Sequence, residues 1–157
     1  FLAETDPMGS IKDNPVSHVS YSYSAQVVIL DEQGRVEKIV AACDVGVPVN
    51  RQSLEGQVEG GVLMGMGSAL TEAYVQEDCR PKSKYGTLGL LRAVDAPPIE
   101  VVLVQGPGNI PYSYGAKGVG ELCIIPTLPA CAHAYYRLDG KFRTEVPLRG
   151  TYYKKEK

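Results

Sequence analysis

The chain has 157 residues, of which 44% are hydrophobic and 22% are charged, and its formal net charge at pH 7 is -2. This composition is typical of a globular protein of one domain, and the balanced charge excludes nucleic acid and anionic membrane surfaces as expected partners. No apolar run approaches the ~20 residues that span a bilayer, so no membrane insertion is expected.

The first residues do not resemble a targeting segment. Residues 1–18 are polar and rich in turn formers, which predicts a tail or an incoming linker. They lack the basic start and the cleavage site of a signal peptide. They also lack an initiator Met, so we expect the chain to be cut from a longer one.

The cysteines are spaced too irregularly to indicate a metal site. None of them forms a C-x-x-C pair, so zinc or iron–sulfur ligation is not expected. Reduced, partly buried thiols in a cytoplasmic protein are the simpler interpretation. The four cysteines are Cys43, Cys79, Cys123 and Cys131.

Two β-rich runs begin the folded part of the chain. In YSYSAQVVIL, residues 21–30, apolar and polar side chains alternate, which predicts a strand. DEQG supplies a turn with Gly34 at the left-handed position. RVEKIVAAC, residues 35–43, is a second strand, so the two runs predict a β-hairpin.

A glycine-rich helix is predicted over 53–74, with Asn50 or Ser53 as its cap. It contains five glycines, each of which costs about 0.8–1 kcal/mol relative to Ala inside a helix. Gly61 and Gly65 are one helical turn apart, so one side of the helix is nearly bare backbone. Either another backbone or a bulky ligand is expected to approach this side closely.

The second half of the chain alternates irregular segments with short elements. They are an irregular connection (77–98), an apolar strand (99–105), a long glycine- and proline-rich loop (106–121), a helix (127–138), a final strand KFRTEVPL (141–148) and a polar tail (151–157). The order β-β-α-β-α-β predicts an α+β fold of two layers, with two helices packed on one face of a mixed sheet.

Glycine-rich stretches can indicate a nucleotide site, but neither stretch has the required spacing. GMGSAL lacks the third glycine of a dinucleotide fingerprint and follows no strand. GAKGVGEL lacks the Gly-Lys-Ser/Thr ending of a phosphate loop. Neither a Rossmann nor a P-loop site is expected.

Two features remain as site candidates. The glycine-rich helix carries Gln57, whose amide donates and accepts hydrogen bonds, and the glycine-rich loop carries Glu121 in PYSYGAKGVGELC. A carboxylate in a dry pocket, beside groups that hold a substrate, is a common arrangement for a general base. On the residues alone, however, the favoured interpretation of Glu121 is a negative charge at the N-terminus of the following helix.

The two motifs together resemble the molybdenum hydroxylase family, which contains xanthine dehydrogenase, aldehyde oxidase and carbon monoxide dehydrogenase large subunits. EGQVEGGVLMGMGSALTE and YGAKGVGE occur in order, with AACDVGVPVN before them, LRAVDAPPIEV between them and IPTLPACAHAYYRLDG after them. The end of the chain looks most like the bacterial xanthine dehydrogenase branch. The resemblance implies a molybdenum cofactor-binding domain over 19–150, as the C-terminal part of a larger catalytic subunit.

The resemblance also implies roles for particular residues. Gln57 stands where the family contacts the pyranopterin, and Glu121 stands where the family has its active-site base. The backbone near the metal would belong to Lys117, Gly118, Val119 and Gly120. No side chain of this chain is expected to ligate molybdenum, because the pterin holds the metal. The implied reaction is oxidation of a purine (xanthine-like) or an aldehyde, with oxygen derived from water at molybdenum.

The remaining parts of such an enzyme are not in this sequence. The expected cofactor is molybdenum–molybdopterin, in its simple or cytosine dinucleotide form, with a sulfido or selenido ligand on the metal. The remainder of the molybdenum-binding subunit and the iron–sulfur and FAD modules are the expected partners, so the isolated chain is expected to be inactive. Leu122 follows the base where many relatives have Pro or Gly, which leaves the small-molecule substrate open. The alternative is a catalytically silent relative that serves as an assembly or binding module.

Overall fold

A computed structural model describes residues 4–7, 9–18, 20–105 and 110–155. The strands and α-helices of these residues, in chain order, are β1 (Tyr23–Leu30), β2 (Val36–Asp44), α1 (Arg51–Leu70), β3 (Gln76–Glu77), β4 (Arg80–Pro81), β5 (Ile99–Leu103) and α2 (Thr127–Asp139). Short 3-10 turns lie at Ala93–Asp95 and Ser113–Gly115.

The first two strands form the predicted hairpin, with β1 antiparallel to β2. Gly34 in the connecting turn has a φ of +79°, a conformation that glycine adopts without steric cost. The Asp31 carboxylate accepts a hydrogen bond from the Arg35 N–H at 2.8 Å, and the Tyr135 hydroxyl donates to the Gly34 carbonyl. The turn is therefore fixed both locally and by α2.

The main sheet is mixed, as predicted. Its strand order is β1-β2-β5, and β5 runs parallel to β2 after the crossover through α1. Both α-helices cover the same face of this sheet, so the two-layer α+β arrangement is confirmed. The largest buried side chains of this layer are Ile39, Val58, Val62, Met66, Leu70 and Tyr135.

β1 turns Gln26 and the buried Val28 toward the helices and leaves the apolar side chains of its other side open. Tyr23 and Val27 are exposed, whereas the Gln26 side chain lies between the sheet and α2. The Gln26 amide donates to the Cys123 carbonyl at 2.7 Å and accepts from the Thr127 hydroxyl at 2.7 Å. Because this partly buried amide is hydrogen-bonded on both sides, a glutamine can face the helices from a strand that alternates.

α1 begins at the predicted cap and ends four residues earlier than predicted. The Asn50 side-chain oxygen accepts from the Ser53 N–H at 2.9 Å, which identifies Asn50 as the cap. The N–H groups of Thr71 and Glu72 both donate to the Gly67 carbonyl, and this pair of hydrogen bonds closes the last turn. The chain leaves the helix at that point.

The bare side of α1 is filled by the chain's own backbone. A Cβ built at Gly61 would lie 3.3 Å from the Cys123 Cβ, and one at Gly65 would lie 2.6 Å from the Thr127 Cβ and 2.9 Å from the Ile124 carbonyl oxygen. Of the two possibilities left open by the sequence, close approach by another backbone is the correct one for this side.

The predicted final strand over 141–148 is wrong. Instead of pairing at a sheet edge, this segment docks at the end of α1, where the Leu148 N–H donates to the Ala69 carbonyl at 2.7 Å. The Arg143 guanidinium binds the Asp139 carboxylate at 2.6 Å and two carbonyl groups further along the chain. These side-chain and helix-end bonds hold the segment in an irregular path.

The connection over 77–98, predicted as irregular, begins within a small ribbon. β3 and β4 pair antiparallel around Asp78 and Cys79, which have φ values of +50° and +58°. Two successive residues with positive φ are typical of a hairpin turn, but Asp-Cys is not a usual pair for it. The turn signal is therefore absent from the sequence.

The described end of the chain packs against the sheet. Thr151 is buried, and the Tyr153 hydroxyl accepts a hydrogen bond from the Val36 N–H at 3.1 Å. Among the described residues, no helix combines the length and the apolar character needed to cross a bilayer.

Candidate functional site

A pocket of about 420 Å³ lies where the glycine-rich loop meets the N-terminal half of α1 and the segment between β2 and α1. Apolar side chains of that segment, including Val47 and Val49, form part of its wall. The predicted site residues that line the pocket are Gln57, Lys117, Val119 and Gly120. The structure therefore brings both predicted motifs into one place.

Two glycines allow the loop to lie directly on the segment that follows β2. Gly46 and Gly115 have φ values of +66° and +84°. The Val47 N–H donates to the Gly115 carbonyl at 2.9 Å, and the Lys117 N–H donates to the Val45 carbonyl at 2.9 Å. A Cβ at Gly46 would lie 2.1 Å from the Gly115 carbonyl oxygen, so only glycine fits this crossing.

Over residues 118–120 of the loop, hydrogen bonds occupy the carbonyl groups but not the N–H groups. The carbonyl oxygens of Gly118, Val119 and Gly120 each accept a bond. Their donors are the Ser22 hydroxyl at 2.6 Å, the Leu122 N–H at 2.9 Å and the Gln57 amide nitrogen at 2.8 Å. The N–H groups of the same three loop residues find no acceptor within the described part of the chain. Two of these three residues, Val119 and Gly120, line the pocket, so the loop brings unbonded N–H groups to its wall.

Gln57 links the two sides of the pocket. Its amide nitrogen donates to the Gly120 carbonyl, so this helix side chain holds the loop in place. Its amide oxygen accepts no hydrogen bond from the described residues, which leaves an acceptor beside the donors of the loop. The predicted contact residue is therefore also a positioning residue for the loop.

The Lys117 side chain is already paired inside the protein. Its ammonium group lies 2.8 Å from the Asp44 carboxylate and 5.5 Å from the centre of the Tyr23 ring, and the Lys117 and Asp44 side chains are only 11% and 13% exposed. The charge of Lys117 is neutralised there and its N–H is bonded to the Val45 carbonyl, so Lys117 serves to position the loop. Asp44 was not among the predicted site residues: its carboxylate directly after AAC is a local signal, but its partner Lys117 is 73 positions away.

Glu121 is exposed and lies next to the pocket without forming its wall. Within the described residues its carboxylate makes neither a hydrogen bond nor an ion pair. α2 begins six positions later, at Thr127, with Pro126 at its cap. Because the helix dipole acts mainly within the first turn, the favoured interpretation of Glu121 as a helix-terminal charge is not supported.

Comparison with known proteins identifies the domain. A sequence profile of the family described as molybdopterin cofactor-binding domain matches residues 4–97, more than half of the chain. The chain belongs to the molybdenum hydroxylase family. The predicted resemblance is confirmed, and the matched range contains α1 with Gln57, whereas the glycine-rich loop lies beyond it.

The relatives of this molybdopterin-binding domain are much longer proteins. The aldehyde oxidoreductase molybdenum-binding subunit PaoC of Escherichia coli K12 is 33% identical over 117 residues, which are 73% of this chain and 16% of that protein. A probable xanthine dehydrogenase subunit of Bacillus subtilis is 28% identical over 139 residues, which are 83% of this chain and 18% of that protein. The chain therefore spans less than a fifth of these relatives.

Solved structures show the same fold. The aldehyde oxidoreductase of Desulfovibrio gigas superposes with a TM-score of 0.70 at 27% identity, over 85% of this chain and 15% of that one. Like the Escherichia coli and Bacillus subtilis proteins, it is named as an oxidoreductase or dehydrogenase. The described residues contain no group of three or more His, Cys, Asp or Glu side chains placed to hold a metal ion.

The pocket fits a bound cofactor that is rich in hydrogen-bond acceptors. A Cβ built at Gly120, which lines the pocket, would meet no atom within 4 Å, so the missing side chain leaves space on the pocket wall. Backbone N–H groups next to such a space are suited to anionic or carbonyl oxygens. The donor set and the space agree with the family's molybdopterin.

Proposed function

We propose that this domain forms one wall of the active site of a molybdenum hydroxylase, whose full-length gene product oxidises an aldehyde or an electron-poor carbon of a nitrogen heterocycle such as a purine. The observation that carries the proposal is the glycine-rich loop, with occupied carbonyl groups and free N–H groups, beside Gln57 and Glu121. A catalytically silent relative would have no use for this combination.

The loop and the helix would hold the cofactor from two sides. The N–H groups of Gly118, Val119 and Gly120 would donate to cofactor oxygens, and the free amide oxygen of Gln57 would accept from a ring N–H. When bound, molybdopterin supplies the two-electron redox chemistry of the molybdenum. Val47 and Val49, in the segment that precedes α1, would exclude water from this side of the pocket.

Glu121 would act as the general base. Its carboxylate, which has no partner among the described residues, would accept the proton released as water-derived oxygen adds to the substrate carbon. The loop that places Glu121 is fixed by Gln57 on one side and by the buried Lys117–Asp44 pair on the other. The base would therefore be positioned before the substrate arrives.

The substrate class rests on the relatives and on the position of Leu122. Relatives are named for aldehydes, xanthine, isoquinoline and nicotine, which share an electron-poor carbon. Leu122 is partly buried against the core and does not line the pocket, so it does not shape this wall. The bacterial xanthine dehydrogenase branch remains our specific proposal for the enzyme class.

The partners follow from the length of the relatives. We expect the remainder of the molybdenum-binding subunit to form the opposite wall, and iron–sulfur and FAD modules to remove the electrons. The cofactor would be either simple molybdopterin or its cytosine dinucleotide form. The relatives are named as subunits, which supports an assembly of several chains.

The experiment that tests this function is a Gly120→Val substitution in the full-length gene product. Gly120 does not have a positive φ, so Val is sterically tolerated by the backbone and fills only the space beside the loop. An overpacking cost of roughly 1–3 kcal/mol would weaken cofactor binding by about 5- to 150-fold. Molybdenum per subunit should fall after dilution or mild chelation.

The matched control is Gly60→Val on the exposed part of α1. A Cβ at Gly60 also meets nothing within 4 Å, and Gly60 does not line the candidate pocket. Its molybdenum content should equal that of the unmodified protein. Equal molybdenum in the Gly120→Val and Gly60→Val proteins would contradict the proposed cofactor wall. A full-length product without any molybdenum would favour the silent relative.

A further inference from the structure

Two cysteines from different parts of the chain meet beneath the candidate site. Cys43 lies near the end of β2, and Cys123 lies in the turn between the glycine-rich loop and α2. Their Sγ atoms are 3.5 Å apart, and the residues are 0% and 2% exposed. An approach of only about 1.5 Å would bring them to the ~2.05 Å length of a disulfide bond.

The surrounding contacts hold both cysteines in this position. The Cys123 carbonyl accepts hydrogen bonds from the Gln26 amide at 2.7 Å and the Thr127 hydroxyl at 3.0 Å. The Ser24 hydroxyl lies 3.4 Å from the Cys43 sulfur. The two thiols are therefore neighbours because of the fold and not because of a flexible segment.

The two sulfurs are not chemically equivalent. A hydrogen bond from the Cys123 thiol lowers the pKa of Cys43, and the same contact together with burial raises the pKa of Cys123. The thiolate is the reactive form of a cysteine. Cys43 is thus suited to be the attacking sulfur, and Cys123 to be the sulfur that completes the bond.

We infer that Cys43 and Cys123 form a reversible disulfide that fastens the turn after the glycine-rich loop to β2. With hydrogen peroxide as the oxidant, the Cys43 sulfur attacks one oxygen, the O–O bond breaks, and the released hydroxide takes a proton to give water. The Cys123 sulfur then attacks the sulfenic acid of Cys43, and the second oxygen leaves as water with the Cys123 proton. Two thiols and one peroxide become one disulfide and two waters.

The disulfide would join two segments that carry residues of the candidate site. Cys123 is two residues after Glu121, and Cys43 directly precedes Asp44, which pairs with Lys117. The disulfide would close a loop between residues 80 positions apart, which restricts the unfolded chain. The oxidised protein should therefore melt at a higher temperature than the reduced one. This inference is independent of the proposed enzymatic reaction.

The test is oxidation of the purified 157-residue chain with hydrogen peroxide, alkylation of the remaining thiols, tryptic digestion without reductant and mass spectrometry. Lys38 and Arg51 flank Cys43, but the peptide between Lys117 and Arg137 contains both Cys123 and Cys131. Fragment ions from breaks between Cys123 and Cys131 show which of these two cysteines is linked to Cys43. We expect a Cys43–Cys123 link, a higher melting temperature, and reversal of both by dithiothreitol.

Three single substitutions complete the test. Cys123→Ser should abolish the link, whereas Cys131→Ser and Cys79→Ser should leave it in place, since Cys131 is buried elsewhere in α2 and Cys79 is exposed in the β3–β4 turn. A link through Cys131, or complete alkylation of Cys43 and Cys123 after peroxide treatment of the folded chain, would overturn the inference. The assignment in the unmodified chain stands even where a variant folds poorly.

Discussion

α1 and the loop over 110–121 are both rich in glycine, but the fold uses their glycines in opposite ways. Along α1, Gly61 and Gly65 are covered by the turn that leads into α2, and a side chain at Gly65 would overlap Thr127. In the loop, Gly118 and Gly120 leave open space, and their N–H groups have no acceptor in the described chain.

The difference distinguishes two structural roles of glycine. Where carbonyl and N–H groups are both bonded and a neighbouring segment fills the space, glycine allows two segments to pack closely. Where the carbonyl groups are bonded but the N–H groups and the space remain free, the backbone is prepared for a ligand. Substitutions can test both roles, and the largest effect is expected beside the open loop.

Glu121→Gln in the full-length gene product should lower turnover per molybdenum by about 10²–10⁴-fold. Gln keeps the shape of Glu but cannot accept a proton, and positioned acid–base catalysis has this magnitude. Steady-state kinetics normalised to metal content measures the effect. Glu59→Gln, on the exposed part of α1 and outside the pocket, is the matched control and should turn over normally. Normal turnover in the Glu121→Gln enzyme would remove Glu121 from the mechanism.

Gly65→Ala should destabilise the chain by roughly 1–3 kcal/mol. Its Cβ would lie 2.6 Å from the Thr127 Cβ and 2.9 Å from a backbone oxygen, so α2 must shift to make room. Urea unfolding of the 157-residue chain, followed by circular dichroism, measures the change.

Gly60→Ala is the control on the same helix and should have the opposite sign. A Cβ at Gly60 meets nothing, and replacing Gly by Ala inside an exposed helix stabilises by about 0.8–1 kcal/mol. If both variants changed stability in the same direction, the contrast between covered and open glycines within α1 would fail.

Gln57→Ala should lower the free energy of unfolding by about 0.5–1.5 kcal/mol, because the bond to the Gly120 carbonyl is missing. Local motion is the sharper measurement. Amide hydrogen exchange at Leu122, whose N–H donates to the Val119 carbonyl, should become faster, while exchange in β2 stays unchanged. Unchanged exchange in the loop would show that Gln57 does not hold it.

Much of the fold was readable from local patterns. The alternation in β1, the turn glycine at Gly34, the cap at Asn50 and the two helices are properties of neighbouring residues, and the structure confirms them. The grouping of Gln57 with the glycine-rich loop came from a family resemblance, and the structure places them in contact. Glu121 as the base and 19–150 as the domain stay predictions, and residues 106–109 of the loop lie outside the described residues.

Several of the failures have one cause, which is contact between distant segments. The segment over 141–148 has the composition of a strand, but Leu148 bonds to the end of α1 instead. The role of Asp44 depends on Lys117, 73 positions away, and no local pattern reveals such a partner. Local patterns also do not reveal which glycines of α1 are covered by the turn that leads into α2.

The burial of the Lys117–Asp44 pair determines how the loop responds to ionic strength. Mobile ions screen exposed charges over about 10 Å at 0.1 M salt and about 3 Å at 1 M, so the exposed Lys38–Glu100 pair weakens as salt rises. The Lys117 and Asp44 side chains are largely shielded from solvent, and dissolved ions cannot come between them. The glycine-rich loop should therefore keep its place from dilute buffer to concentrated salt, while the surface pairs around it lose their attraction.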